Sequence, residues 1–205
     1  MSKKLYIRYM VSLRCKSIVK EELKKLDVKY SILPYGAIEF SDGVGQKKLQ
    51  SFKRNLRKSG LDLLDLNESI LVDRIISTIL DLIHNFDELP KLTFSEIISK
   101  NISDANDPVL KIFSEVVGMS VIQFIVTQKI EKIKEFLLYD DLAISEISRL
   151  LNYKNEQHLV AQFKKYTGLT PDHFLKLKEE RNKIIRQSMN ESGGKKAIKT
   201  NKPVG

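Results

Sequence analysis

The run Phe163-Lys164-Lys165-Tyr166-Thr167-Gly168-Leu169-Thr170-Pro171-Asp172-His173-Phe174 decides the fold. Its frame already stands fifty residues earlier, as Phe113, Gly118-Met119-Ser120 and Phe124. The agreement extends upstream: Ser145-Glu146-Ile147 repeats Ser95-Glu96-Ile97, and Leu159 repeats Val109. A repeat of this length means two copies of one supersecondary unit. Each copy reads as a short helix, a three-residue turn and a second helix, which is the helix-turn-helix plan.

In the second copy, 144–151 is the scaffold helix, with Ile144, Ile147, Leu150 and Leu151 facing inward. Asn152-Tyr153-Lys154 turns the chain, and Asn155 suits the N-cap of a helix over 156–166. Leu159 and Phe163 must then face the core. That leaves Glu156, Gln157 and His158 outside near the helix start, with Ala161 and Gln162 one turn on. A recognition helix applies its exposed N-terminal side chains to base edges. Gln can pair with adenine, and Glu can accept from cytosine. Lys164 and Lys165, together with Asn155, are the candidates for phosphate contacts, which fix register.

These motifs resemble the AraC/XylS family of transcription regulators over roughly residues 92–178, most specifically in Ile144-Ser145-Glu146-Ile147 and in the run from Phe163 to Phe174. The resemblance implies two helix-turn-helix units on one connecting helix, here read over 121–138, entering successive major grooves. It implies an activator or repressor under the control of an N-terminal sensing or dimerising domain. It departs from the family in the turn, where Asn152 stands in place of glycine. Asn tolerates positive φ better than most residues, so the turn is expected to survive.

The first copy is more altered. Its corresponding outward positions are Asn106, Asp107, Pro108 and Lys111, of which Asn106 and Lys111 are candidate base readers. Asp107-Pro108 suits a cap followed by a first helical residue, which starts that helix late. The first copy is therefore expected to read few bases and the second to read most.

Upstream, residues 5–66 alternate strand and helix signals: a strand over 5–11, a helix over 14–26, strands over 28–33 and 37–40, a helix over 46–59 and a strand over 61–66. This order, βαββαβ, is the split-βαβ, ferredoxin-like plan. The order, with Cys15 at the first strand–helix junction, resembles heavy-metal-associated domains. Those bind soft ions through a cysteine pair, whereas Ser12 stands here in place of the first cysteine. No metal is expected, Cys15 being the weak candidate, and a thiol at a helix start is conceivable as a redox sensor. Residues 67–86 read as one helix, capped by Asn67 or Ser69, with an apolar face wide enough for core or an interdomain or dimer seam, and stopped by Asp87–Pro90.

The organisation expected is an α+β βαββαβ domain over 1–66, a connecting helix over 67–91, an all-α double helix-turn-helix domain over 92–182 and a flexible basic tail over 183–205. Net charge is +9, unevenly placed: +8 over 1–66, −3 over 67–103, −2 over 104–180 and +6 over 181–205. Basic charge favours polyanions, but the repeat itself is slightly acidic. The single cysteine excludes an internal disulfide framework and fits a reducing cytoplasm. Apolar stretches are interrupted by charges, so neither a membrane span nor a secretion signal is read.

Enzymatic readings find no support. The three histidines, His84, His158 and His173, lie in unrelated contexts, and Ser41-Asp42-Gly43-Val44-Gly45 lacks the features of a phosphate loop. No cofactor is expected. The reading is a cytoplasmic, sequence-specific DNA-binding regulator, with double-stranded DNA as partner, RNA polymerase and a second copy of the chain as the protein partners open to it, and no membrane. The alternative is a metal- or thiol-responsive interaction protein whose helix-turn-helix half has lost strong DNA affinity.

Overall fold

The computed structural model describes residues 3–41, 43–84 and 107–194. The Ser95-Glu96-Ile97 arm, the Asp87–Pro90 stop, Asn106 and the tail beyond 194 lie outside them. The chain divides into two compact units, Met1–Gln128 and Lys129–Gly205.

The first unit begins with β1 (Lys3–Arg8), α1 (Leu13–Lys24), β2 (Tyr30–Ile32), β3 (Ala37–Phe40), α2 (Gln46–Lys58) and β4 (Asp62–Leu63). The four strands form one sheet in the order β2-β3-β1-β4, with every neighbouring pair antiparallel. Side chains alternate across a strand, and β1 uses both faces. Leu5 and Ile7 join a core with Val19 and Leu23 of α1, Phe52 and Leu56 of α2, and Ile38 and Phe40 of β3. Lys4, Tyr6 and Arg8 point the other way, toward α3 (Leu66–His84), and each bonds to that helix. Lys4 pairs with Asp73, Tyr6 Oη donates to Asp73 at 2.7 Å, and Arg8 meets Glu68 at 2.6 Å. Burial, with the Asp73 carboxylate beside it, pushes the Tyr6 phenol far up.

Several boundaries differ from the sequence reading. β1 stops at Arg8 rather than Val11, because Tyr9 turns to φ 65 and sends its N–H out of the sheet. The short β4 covers only Asp62–Leu63 of the expected 61–66. The cap of α3 is neither Asn67 nor Ser69. Asp65 and Glu68 accept reciprocally from each other's backbone N–H, at 2.8 and 3.2 Å, in a capping box. Ser69 is instead buried and accepts from Tyr6 N at 3.2 Å. The wide apolar face of α3 (Val72, Ile75, Ile76, Ile79, Ile83) is buried within this unit, and the helix packs on β1 and on α4 (Asp107–Val117).

α5 (Val121–Glu135) carries the division between the units, at Gln128 and Lys129. It ends in one π-helical turn, Phe136–Asp140, rather than running straight to 138, and Asp141 closes it at φ 52. The second unit continues with α6 (Ile144–Leu150), α7 (Glu156–Thr167) and α8 (Pro171–Gly194). Lys178 Nζ donates to Leu137 O at 3.0 Å and pairs with Asp141, tying α8 to the π turn.

α8 also corrects an expectation. The sequence places a flexible tail from 183, yet the helix runs on to Gly194. Residues 179–189 are all exposed. A helix solvated on every side needs no apolar period, so periodicity could not reveal it. Among the described residues no single helix is long and apolar enough to cross a membrane.

Candidate nucleic-acid interface

The second copy is assembled around two fully buried side chains, Leu159 and Phe163 of α7. Asn152 takes φ 52 in the preceding turn, the left-handed conformation expected of it. Asn155 Oδ1 then accepts from His158 N at 2.8 Å, so its oxygen serves as the cap of α7. Gly168 at φ 79 stops the helix, its N–H returning to Lys164 O at 2.9 Å. Thr170 Oγ1 accepts from His173 N at 3.3 Å at the start of α8, and Phe174 meets Phe163 edge-on at 5.7 Å.

Successive helical residues are about 100° apart. With Leu159 and Phe163 inward, Gln157, Ala161 and Lys164 form the opposite row, flanked by His158 and Lys165, and all five are exposed. Glu156 is exposed at the first turn. Gln162 lies on the flank nearest the turn, half-buried, where Tyr153 Oη donates to its Oε1 at 2.6 Å. The edge of the His158 ring meets the Tyr153 ring at 5.7 Å. The structure therefore separates the candidates. Gln157, Ala161, Lys164 and Lys165 project freely, while Gln162 and His158 are engaged with the turn aromatic.

Under that aromatic lies a residue the sequence reading missed. Lys129 Nζ sits 5.0 Å from the centroid of the Tyr153 ring and donates to Leu151 O at 2.7 Å. Burial pulls the Lys129 ammonium down to about 8 and pushes the Tyr153 phenol up, with Tyr166 adding to the second effect. A usable signal existed: Lys129 falls on the same stripe as Ile125 and Ile133, one turn to either side.

The first copy repeats the inner geometry. Val109, Phe113 and Val116 of α4 are buried, and Phe113 meets Phe124 edge-on at 5.6 Å. Gly118 at φ 79 stops the helix, and Ser120 and Gln123 form a reciprocal capping box at the start of α5. The outside differs. Lys111 is exposed at the position of Ala161, while Ser114 and Glu115 stand where the second copy has Lys164 and Lys165. Glu115 faces Arg8 at 3.4 Å, and its carbonyl accepts from Tyr9 N at 2.8 Å. The turn before β3 closes on the same helix end. A Cβ on Gly36, at φ +78, would meet Val116 O at 3.3 Å and Ile7 O at 3.2 Å. Tyr35 meets Phe124 edge-on at 5.0 Å, and Gln128 Nε2 donates to Tyr35 Oη at 3.2 Å.

Residues 109–177 match the helix-turn-helix domain family. The helix-turn-helix domain expected from the repeat is thereby borne out over this stretch. A curated relative, an uncharacterized HTH-type transcriptional regulator YtdP of Bacillus subtilis, is 30% identical over 100 residues. That match takes in 49% of this chain and 13% of the relative's own length. Among solved structures, the C-terminal domain of AraT, a response regulator from Geobacillus stearothermophilus, aligns at 23% identity and TM-score 0.45, over 52% of this chain and 84% of that one. The DNA-binding domain of AdpA in complex with a target DNA aligns at 13% identity and TM-score 0.45, over 53% and 95%.

In the N-terminal domain, Ser12 caps α1 by accepting from Cys15 N, and its hydroxyl bonds Cys15 Sγ at 3.1 Å. That bond, foremost, draws the thiol below its ordinary value. Among the described residues no three His, Cys, Asp or Glu side chains converge in a way that could hold a metal ion.

Proposed function

We propose that the chain is a sequence-specific DNA-binding transcription regulator of the AraC/XylS type that reads bases mainly through α7. One observation carries the reading. α7 is capped at both ends and anchored by Leu159 and Phe163, and it holds Gln157, Ala161 and Lys164 out to solvent in one row with Lys165 exposed on its flank. Hydrogen-bonding groups near a helix start with cations further along suit base readout followed by phosphate contact. In α4 the position matching Lys165 is a carboxylate engaged with Arg8, which supports a smaller share for the first copy. The match to a helix-turn-helix family and the likeness to a protein named as a transcriptional regulator support the same reading. Under it, double-stranded DNA is the partner, with RNA polymerase and a second copy as further partners, and the location is cytoplasmic. We assign the N-terminal sheet and its helices to the split-βαβ plan.

The experiment is selection of bound duplexes from a random pool by the full chain, followed by single substitutions. Gln157→Ala should cost about 1–3 kcal/mol of discrimination at one base position. Lys111→Ala should leave discrimination nearly intact. Equal losses from both would sink the division of labour. The alternative, an interaction protein without strong DNA affinity, draws on the net −2 of residues 104–180. It predicts no salt-sensitive binding to any duplex, where phosphate contact demands a steep slope.

A further inference from the structure

The charge of this protein sits in an unexpected place. α1 and its exit, residues 13–29, together with α2, residues 46–58, hold 12 Lys/Arg and 3 Asp/Glu. That net of +9 equals the net charge of the entire chain, so everything else sums to zero. The two helices lie side by side on one face of the sheet. α2 alone carries Lys47, Lys48, Lys53, Arg54, Arg57 and Lys58 with no acidic residue.

The geometry sorts these cations. Phe52 and Leu56 are buried and fix the inward side of α2. At about 100° per residue, Lys47, Arg54 and Lys58 fall within about 40° of one another on the opposite side, and all three are exposed. The row spans about 16 Å at a rise of about 1.5 Å per residue. Others are already used: Arg57 pairs with Asp62 at 2.7 Å, and Lys48 donates to Leu26 O at 2.8 Å. Of the nearby carboxylates, Glu22 is taken by Lys25 and by Asn55, which donates to it at 2.9 Å, and Lys58 adds only a weaker attraction to it from a distance. Glu21 is exposed on α1. Among the described residues, Lys47, Arg54 and Lys58 form no ion pair within 4.0 Å.

We infer that the outer face of α2, with α1 beside it, is a second polyanion-binding surface, and that its ligand is the phosphate backbone of duplex DNA, contacted without regard to sequence. The row suits phosphates better than a lipid surface. Helices that lie on membranes expose an apolar face beside the basic one, whereas the positions between these cations are Gln50 and Ser51. Duplex DNA is favoured because the same chain carries a helix-turn-helix domain at 109–177. The α7 domain supplies little net cation, so the non-specific part of the affinity would arise here. This inference rests on the DNA-binding reading above, but not on which helix reads bases.

The test uses the full chain carrying Lys47→Gln, Arg54→Gln and Lys58→Gln together, three exposed residues whose replacement should leave thermal unfolding unchanged. Binding to the selected duplex and to an unrelated duplex of equal length is followed across salt from about 50 to about 200 mM, the range in which phosphate contacts are lost. The expected result is a log–log salt slope shallower by about 2–3, equally on both duplexes, with their affinity ratio preserved. An unchanged slope on both duplexes overturns the inference. So does loss of binding to phosphatidylglycerol vesicles by the triple variant with its DNA slope intact, which makes the surface a lipid contact. Gln157→Ala is run alongside. If it leaves discrimination untouched while the triple variant flattens the slope, base reading by α7 fails and the phosphate surface stands. If the parent chain binds no duplex at all, both fail.

Discussion

α4 and α7 occupy the same fifty-residue frame, and their inner faces are nearly interchangeable. Each buries an aliphatic residue and a phenylalanine four apart. Each phenylalanine meets another edge-on, at 5.6 Å in the first copy and 5.7 Å in the second, with an interplanar angle of 74° in both. Each helix ends at a glycine with φ 79. Outside, the copies diverge. The end of α4 accepts a backbone hydrogen bond from Tyr9, pairs Glu115 with Arg8 and lies against the Tyr35–Gly36 turn. The same part of α7 leaves Lys164 and Lys165 exposed. The same helix frame thus stands in two settings: α4 is built into a mixed sheet-and-helix unit, and α7 presents an open helix face.

The strongest challenge to this comparison is to empty each core. Phe113→Ala and Phe163→Ala should each cost about 3–5 kcal/mol. Amide exchange should then separate them. Phe113→Ala is expected to loosen β1, β3 and α3 as well as α4, because Phe124 links Phe113 to Tyr35. Phe163→Ala should leave those strands protected. Equal loosening of the β1–β3 ladder by both variants would break the distinction.

A smaller effect belongs to the second unit alone. Lys129 is held down to about 8 by burial, from an ordinary 10.5. Between these two values the unfolded chain binds more protons than the folded one. Stability should therefore rise with pH across that window, by up to about 3 kcal/mol, and be flat below about 8. Chemical denaturation at several pH values checks this, and Lys129→Met should abolish the rise. A fall in stability over the same window, in the parent alone, would mean the buried ammonium is favoured rather than penalised.

The finest comparison concerns the caps of the helices that follow each copy. Ser120 exchanges bonds with Gln123, while Thr170 makes one at 3.3 Å. Ser120→Ala should cost about 1–1.5 kcal/mol and Thr170→Ala about 0.5 kcal/mol, both within the usual range for caps. Thermal unfolding reads both, and a reversed order would show that hydrogen-bond geometry does not rank them.

Local signals proved legible where their cause is local. The strand Ala37–Phe40, the Asn155 cap and the left-handed Asn152 each depend on residues within a few positions, and each is readable from the sequence. Misreadings occurred where distant groups intervened. The apolar pattern extends β1 to Val11, but Tyr9 turns out of the sheet and donates to Glu115 O, over one hundred residues away in sequence. Ser69 is a cap by residue type, yet Tyr6 N claims its hydroxyl. The exposed end of α8 left no pattern, because nothing packs on it to impose one.

By itself, the sequence determined the fifty-residue frame that α4 and α7 share, and with it the inward side of α7, since helical spacing turns Leu159 and Phe163 to the core. Only the tertiary structure decided which outward residues are free to act. Gln162 and Gln157 are the same residue type on the same helix. One is bound by Tyr153 and the other is open to solvent. Whether a polar side chain finds a partner depends on what the rest of the chain brings within hydrogen-bonding distance, and a linear pattern does not encode that distance.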